Sequence, residues 1–542
     1  MAIATQATEM MKVAAGPARW RVTRTDACTR CGICAEVCPA GVHPEGDGFF
    51  RLPQPDSRLC LGPGCLGAGA GASAGSRADG DGLVVAVRDC TAECPEKALA
   101  VEPSSDFRLL GDPRWPAHLL KATWHEAEHG APPPGVNYRT GASGGGFDRL
   151  RFLVEDQEQQ EQVGAAARSA AAVSAAVAAD TLERRREAYA AARAEVDLTL
   201  PLNRRAVAPG EYPGERITIG LPWYGGGMSY GSISVSTMMG RAGAARRLGT
   251  FASTGEGGYP ADLAPFHDHV ITQVATGLFG VREETLQWAR IIEIKYAQGA
   301  KPGLGGHLLA DKVTRDVAEV REAVEHTNLF SPFPFHSVYS VEDHKKHVDW
   351  LKATNPKTLI SVKVSTPEDV DMVAVGSYYA GAHIIHLDGG YGGTGAAPDI
   401  AKKNIAMPIE FAIPRAHRFL EKEGIRDQVT LMASGGLRTP YDVAKAIALG
   451  ADGCILGTAE LVALGCVRCA NCESGRGCPR GIATTDRELT PMITPEWATE
   501  RIVRMYTAWA GELALLLRRL GMRNVAELRG RTDLLRLPRK AE

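Results

Sequence analysis

The chain has 542 residues, 61 Lys plus Arg against 63 Asp plus Glu, a formal net charge of −2, 44% hydrophobic residues and 13 cysteines. That balance excludes the charge footprint of a nucleic-acid or anionic-membrane binder, and the apolar content excludes a disordered or fibrous chain. No run of about 18 uncharged apolar residues offers a membrane span and no signal peptide opens the chain, so the expected compartment is a reducing cytoplasm. In chain order, residues 1–20 read as a flexible tail. Residues 21–104 hold eight cysteines in short turns, with a Gly/Ala-rich loop at 62–82. Residues 105–204 read as a connector, Pro- and Gly-rich without regular structure to 150, then helical by propensity over 155–195. A repeating pattern fills residues 205–490. The β-branched runs ITIGL, TFAST, IIEIK, NLFSP, LISVKVS, HIIHLDG, VTLMASGG and GCILGT alternate with helical stretches such as 315–325, 368–380, 414–423 and 440–449. Eight strands in about 250 residues fit an α/β fold of the (β/α)8 barrel type, with Gly-rich turns at the strand ends where such barrels build active sites. Residues 491–542 read as a helical extension whose basic residues form a solvated face.

Two dense groups of thiols separated by a cysteine-free stretch from Cys94 to Cys454 point to metal–sulfur ligation, not disulfides. Cys28, Cys31, Cys34 and Cys38 form C-x2-C-x2-C-x3-C, followed by Pro39. Tight turns bring three such thiolates to one cubane, and the displaced fourth ligates a second one. Cys60, Cys65, Cys90 and Cys94-Pro95 supply a looser second set. The expected sharing puts Cys28, Cys31, Cys34 and Cys94 on one 4Fe–4S cluster and Cys38, Cys60, Cys65 and Cys90 on another, a ferredoxin-like domain with two clusters. A zinc site, built from paired C-x2-C hooks, is the alternative. Cys454 stands alone in GCILG and reads as a small buried hydrophobe.

Several stretches of the barrel, in order, resemble the synthase domain of glutamate synthases. They are TGEGG (254–258), ITQVATGLFGV (271–281), EIKYAQGAKPGLGGHL (293–308), GGYGGTGAAP (389–398), SGGLRTPYDVAKAIALGAD (434–452), GTAELVALGC (457–466) and CPRGIATTD (478–486). With the cysteine-rich region in front, the likeness is to the short archaeal-type large subunit. GTGAAP and GLGGHL also resemble the related N-methylglutamate synthase subunit. The resemblance implies FMN, a 3Fe–4S cluster and reductive amination of 2-oxoglutarate: ammonia gives 2-iminoglutarate, and reduced FMN delivers hydride to it. It places Met228 and Ser229 against the flavin and Gln298 near it. Ser434-Gly435-Gly436 and Gly457-Thr458 suit the flavin phosphate, because glycine lets backbone amides approach closely. Lys363, ending LISVKVS, suits the charge on a reduced flavin. Lys301 and Arg321 occupy the positions that hold the 2-oxoglutarate carboxylates, Arg321 as a bidentate fork. Glu256 is the candidate for orienting ammonia or protonating the imine product. A helix-surface ion pair for Arg321 and a loop-bracing role for Glu256 are the alternatives.

The chain departs from the family pattern in four places. His307 stands where many members have a substrate-binding glutamine, and PFPFHS at 332–337 replaces a PPHHD-like stretch. Met1-Ala2 supplies no N-terminal catalytic cysteine, so ammonia is expected from solution or from a separate glutaminase chain. Cys466, Cys469, Cys472 and Cys478 give C-x2-C-x2-C-x5-C-P where the family has C-x5-C-x4-C, so the extra Cys469 leaves a choice of 3Fe–4S or 4Fe–4S. No G-x-G-x-x-G strand–turn–helix unit for NADPH is evident, so the expected electron donor is a separate reductase subunit or a ferredoxin. Two other functions remain open: methylamine as the amine, or an electron-transfer subunit without amination.

Overall fold

The computed structural model describes residues 18, 20–38, 42–43, 55, 57, 60, 76–78, 84–86, 89–132, 146–154, 182–207, 209–331, 338–393, 395, 397–398, 400–402, 404–473 and 476–537. Cys65, Pro39, the Ala-rich run from 155 to 181 and the 332–337 stretch lie outside them, as do most of the 62–82 loop and parts of GTGAAP. The chain divides into two compact units. One comprises residues 1–112, 116–121 and 154–185, the other 113–115, 122–153 and 186–542.

In the first unit Trp20–Arg24 pairs antiparallel with Leu99–Pro103, Val22 opposite Val101. Two short helices, Ile33–Val37 and Cys90–Glu93, each end at a cysteine, Cys38 and Cys94. Asp89 caps the second by accepting the Thr91 and Ala92 amides. The Val42 amide donates to Cys38 Sγ and the Ala98 amide to Cys94 Sγ, both at 3.4 Å. The two C-x3-C-P segments therefore share one local geometry, with a backbone donor four residues on.

The second unit is a closed parallel barrel of eight strands. They are β1 (Trp223–Gly225), β2 (Ala252–Ser253), β3 (Val270–Ala275), β4 (Ile291–Lys295), β5 (Leu359–Ser365), β6 (Ile384–Asp388), β7 (Thr430–Ser434) and β8 (Gly453–Leu456). Two of the expected strands are corrected. ITIGL is not the first barrel strand: Thr218–Ile219 pairs antiparallel with Leu200–Pro201. Leu200, Leu202, Ile217 and Ile219 pack on the barrel's lowest interior layer and plug its amino end. NLFSP is not in the barrel either, since Leu329–Phe330 pairs antiparallel with His307–Leu308 in the excursion between β4 and β5. The two barrel strands not foreseen are β1, only three residues long, and β3, whose fully buried VITQVA run carries no polar–apolar alternation to mark it.

Period-two alternation sorts the barrel interior by height. The bottom layer is apolar, with Ile271, Ile291, Leu359, Ile384 and Met432. Two residues further along the same strands stand Gln273, Glu293, Ser361, His386 and Ser434, all buried and polar. A further two residues up β4, β5 and β6 come Lys295, Lys363 and Asp388, with Lys295 and Lys363 register partners.

Residues 105–150 are also more regular than expected, because Ala117–His129 is a helix. Within its second-unit part, Glu126 Oε2 accepts from buried Trp509 Nε1 at 2.9 Å. Trp509 lies on the long C-terminal helix Pro495–Arg519. Arg501 of that helix is buried, not solvated, and donates to the Ala463 and Trp124 carbonyls at 2.6 and 3.1 Å. The helix packs on Val235–Arg247 through Gly240, where a Cβ would lie 2.3 Å from that of Ala498. At the amino end of β8, buried Asp452 gathers Arg204 at 2.5 Å, Arg426 at 2.8 Å and Arg529 at 3.1 Å. Cys454 is fully buried within β8.

Candidate active site

The carboxyl ends of the strands open into a cleft of about 160 Å³. Seven of the sequence-picked residues line it: Met228, Ser229, Glu256, Gln298, Lys301, Arg321 and Lys363. Glu256 sits on the loop after β2. Its neighbour Gly255 has φ +66 and would press a Cβ to 2.6 Å from the Ser229 amide, so only glycine lets these two loops close together.

Lys295 Nζ lies 3.0 Å from Glu256 Oε2. Burial opposes ionisation of Glu256, but Lys295, Ser331 and Arg321 outweigh it and hold the carboxyl below its usual range. Arg321 ends the helix Arg315–Arg321 and turns inward, donating to Ser229 Oγ and the Tyr230 carbonyl, each at 2.9 Å. Burial pulls its guanidinium down to about 10 against the pull of Glu256 and Glu473. Lys301 is buried too, and desolvation with nearby Lys295 brings it down to about 8. His307 lines the same wall, so the residue replacing the family's glutamine still faces the cleft. Arg321 Nε and Glu256 Oε1 are buried without a hydrogen-bond partner. Such orphaned groups carry a desolvation cost that a ligand's donors and acceptors relieve, and a dicarboxylate with an amine supplies both.

On the strand beside Lys295, Lys363 Nζ lies 3.3 Å from Asp388 Oδ2, which also accepts the Gly299 amide at 3.0 Å. The phosphate candidates stand apart from this cleft lining, at the ends of the paired strands β7 and β8. Gly435 and Gly436 have φ +92 and +115, and a Cβ on Gly435 would be 2.4 Å from the Gly389 carbonyl. Gly457 starts the helix Thr458–Ala463 with no side-chain cap, and a Cβ there would meet nothing within 4 Å. Open space over bare amides fits a phosphate. The Ser434 hydroxyl is turned into the barrel and bonds Asp388, which leaves only its backbone to take part.

The C-terminal cysteine loop borders the same cleft through Cys472 and Glu473. Cys466 and Cys472 lie near enough to Cys478, and Cys472 to Cys469, for their thiols to interact electrostatically. Arg468 and Ala470, flanking Cys469, take φ +61 and +62. Arg30 and Gly32, flanking Cys31 in the N-terminal motif, take φ +62 and +82. Both C-x2-C-x2-C loops thus bend alike about their middle cysteine, and Ala470 adopts a region that costs a non-glycine residue about 1 kcal/mol or more. The donor set fits an iron–sulfur cluster. At the N-terminus Cys34 feels Cys28 and Cys31, while Cys38, Cys90 and Cys94 occupy the helix ends given above.

The sequence reading missed Lys295, Gln273, Lys312 and Glu473. Lys312 is buried with its Nζ 3.7 Å from Glu473 Oε1. Lys295 carried the same signal as Lys363, a lysine ending an apolar strand. The other three sit in segments without a charge pattern of their own.

A parallel barrel with a cation-rich cleft at its carboxyl end and cysteine loops of cluster type defines an iron–sulfur barrel oxidoreductase. The conserved region in glutamate synthase matches residues 157–523, and a 4Fe–4S binding domain matches residues 22–42. An archaeal-type glutamate synthase [NADPH] of Thermotoga maritima is 35% identical over 96% of this chain and 95% of its own length. The archaeal glutamate synthase [NADPH] of Archaeoglobus fulgidus is 34% identical over 95% and 93%. The glutamate synthase [NADPH] large chain of Azospirillum brasilense is 38% identical over 57% of this chain and 21% of its own. The chain belongs to the glutamate synthase family and is an oxidoreductase acting on CH–NH2 donors. Among the described residues no helix is long and apolar enough to cross a membrane.

Proposed function

We propose that the barrel cleft makes L-glutamate by reductive amination of 2-oxoglutarate. The observation that carries this reading is the meeting of Lys301, Arg321, Glu256 and Lys295 in one cleft, with Lys363 on the strand beside Lys295. Lys301 and the unsatisfied Nε of Arg321 bind the two carboxylates. Glu256, kept ionised by Lys295, accepts a proton from the incoming amine through its free Oε1 and returns it to the product nitrogen. Bound FMN supplies the hydride, and Lys363 meets the charge that reduction places on the flavin. The Gly435-Gly436 and Gly457-Thr458 turns hold its phosphate. The eight N-terminal cysteines would hold two 4Fe–4S clusters and Cys466, Cys469, Cys472 and Cys478 a third, and such clusters would supply one-electron transfer to the flavin.

The named relatives carry NADPH in their names, but the G-x-G-x-x-G run Gly390–Gly395 here follows β6, and among the described residues no helix follows it before Ile409. A separate reductase subunit or a ferredoxin is therefore the donor, and the cytoplasm is the compartment. Purified protein with reduced donor, 2-oxoglutarate and ammonia should form glutamate and reoxidise its flavin. Turnover with methylamine in place of ammonia favours the N-methylglutamate reading, and flavin binding without either product leaves only electron transfer.

A further inference from the structure

One layer below the cleft, the polar side chains of the barrel interior form an unbroken chain. Gln273 Nε2 donates to Glu293 Oε1 at 2.6 Å, and Ser361 Oγ to Glu293 Oε2 at 3.2 Å. His386 Nδ1 meets Glu293 Oε2 at 2.9 Å and its Nε2 meets Ser434 Oγ at 2.7 Å. Ser434 Oγ donates to Asp388 Oδ1 at 2.6 Å, and Asp388 Oδ2 faces Lys363 Nζ at 3.3 Å. All are buried. Nothing in the proposed chemistry uses Glu293 or His386.

Burial opposes ionisation of Glu293 and Asp388, but their cationic and hydrogen-bonding neighbours hold both carboxyls ionised, and with both ionised a count of protons gives the other charges. Ser434 has one hydroxyl proton and gives it to the Asp388 carboxylate, so its oxygen accepts from His386 Nε2. The other ring nitrogen faces a Glu293 carboxylate that already accepts from Gln273 and Ser361 and has no proton to give. Both ring nitrogens therefore donate, and a ring that does so is an imidazolium. Glu293, His386, Asp388 and Lys363 then alternate negative and positive and sum to zero. At 3.3 Å the Lys363–Asp388 pair is looser than a charge-assisted bond of about 2.7–2.9 Å.

We infer that His386 is a positioning residue for the flavin end of the site. Its positive charge draws on Asp388 through Ser434, and so leaves the Lys363 ammonium able to meet charge on the reduced flavin. This rests on the FMN reading above. The test compares wild-type holoprotein with H386Q and E293Q/H386Q, using flavin content and the affinity of the bound flavin for sulfite, an anion whose addition at N5 is favoured by positive charge near N1. H386Q leaves Glu293 uncompensated and should weaken sulfite binding by about tenfold or more, the scale of one buried charge several ångströms away. E293Q/H386Q removes one charge of each sign and should return to within about threefold of wild type. Unchanged sulfite affinity in flavin-loaded H386Q overturns the inference. So does a folded double variant as weak as H386Q, or weak by itself should H386Q not fold, because damage to packing is not undone by a second substitution. Wild-type protein that binds no flavin overturns the FMN reading, and this inference with it.

Discussion

Lys301 is the residue whose electrostatics make the sharpest prediction. Burial and Lys295 bring it down to about 8, so it is charged below that pH and neutral above it. The dissociation constant for 2-oxoglutarate, measured without amine, should rise steeply above about pH 8 and lose that rise in Lys301→Met. Cys469 makes a second. If the loop around it holds a fourth ligand, as the matched turns at Arg30/Gly32 and Arg468/Ala470 support, freshly isolated protein should lack an oxidised 3Fe–4S resonance and Cys469→Ser should acquire one. A strong 3Fe–4S signal in the unaltered protein refutes the four-ligand assignment. Lys363 stood out in the sequence because a charge interrupts an apolar strand, whereas Lys301, Arg321 and Glu256 were picked out by the family motifs around them. His386, Glu293 and Asp388 were not. Their partners lie on neighbouring strands, and only the barrel register brings Lys363 beside His386 and Asp388 beside Ser434.

At the scale of elements, six strand assignments follow from β-branched runs, and the two failures share a cause. ITIGL and NLFSP have strand chemistry and do form β-pairs, but each pairs antiparallel with a short local partner. Periodicity reports that a segment is extended, not which sheet it joins. Asp452 binds separate elements into one unit, joining the strap before the barrel through Arg204, the β6–β7 connection through Arg426 and the C-terminal segment through Arg529. Asp452→Asn leaves three arginines without their shared anion and should cost roughly 3–5 kcal/mol in denaturant unfolding. Burial opposes ionisation of Asp452, but Arg426, Arg204 and Arg529 hold it at about 2, against an ordinary 3.8. Its contribution is therefore fully present above the ordinary value and fades as pH falls toward 2, which acid titration of the wild type against Asp452→Asn can read. Gly435→Ala, with its Cβ forced toward the Gly389 carbonyl, should lower flavin content more than stability.

For the whole molecule, thirteen cysteines sort into eight near the N-terminus, four beside the cleft and one in β8. Full loading under the four-ligand assignment corresponds to about 12 irons per flavin, and metal analysis of anaerobically purified protein checks it. The plug formed by Leu200, Leu202, Ile217 and Ile219 makes the barrel a blind-ended vessel. Among the described residues the way in is then the carboxyl-end cleft, whose wall includes Cys472 and Glu473, and on the proposed reading keto acid, amine and amino acid all pass through it. On the proposed reading glutamate has to vacate the cleft before the next keto acid enters, so added glutamate should inhibit as a competitor of 2-oxoglutarate in steady-state assays.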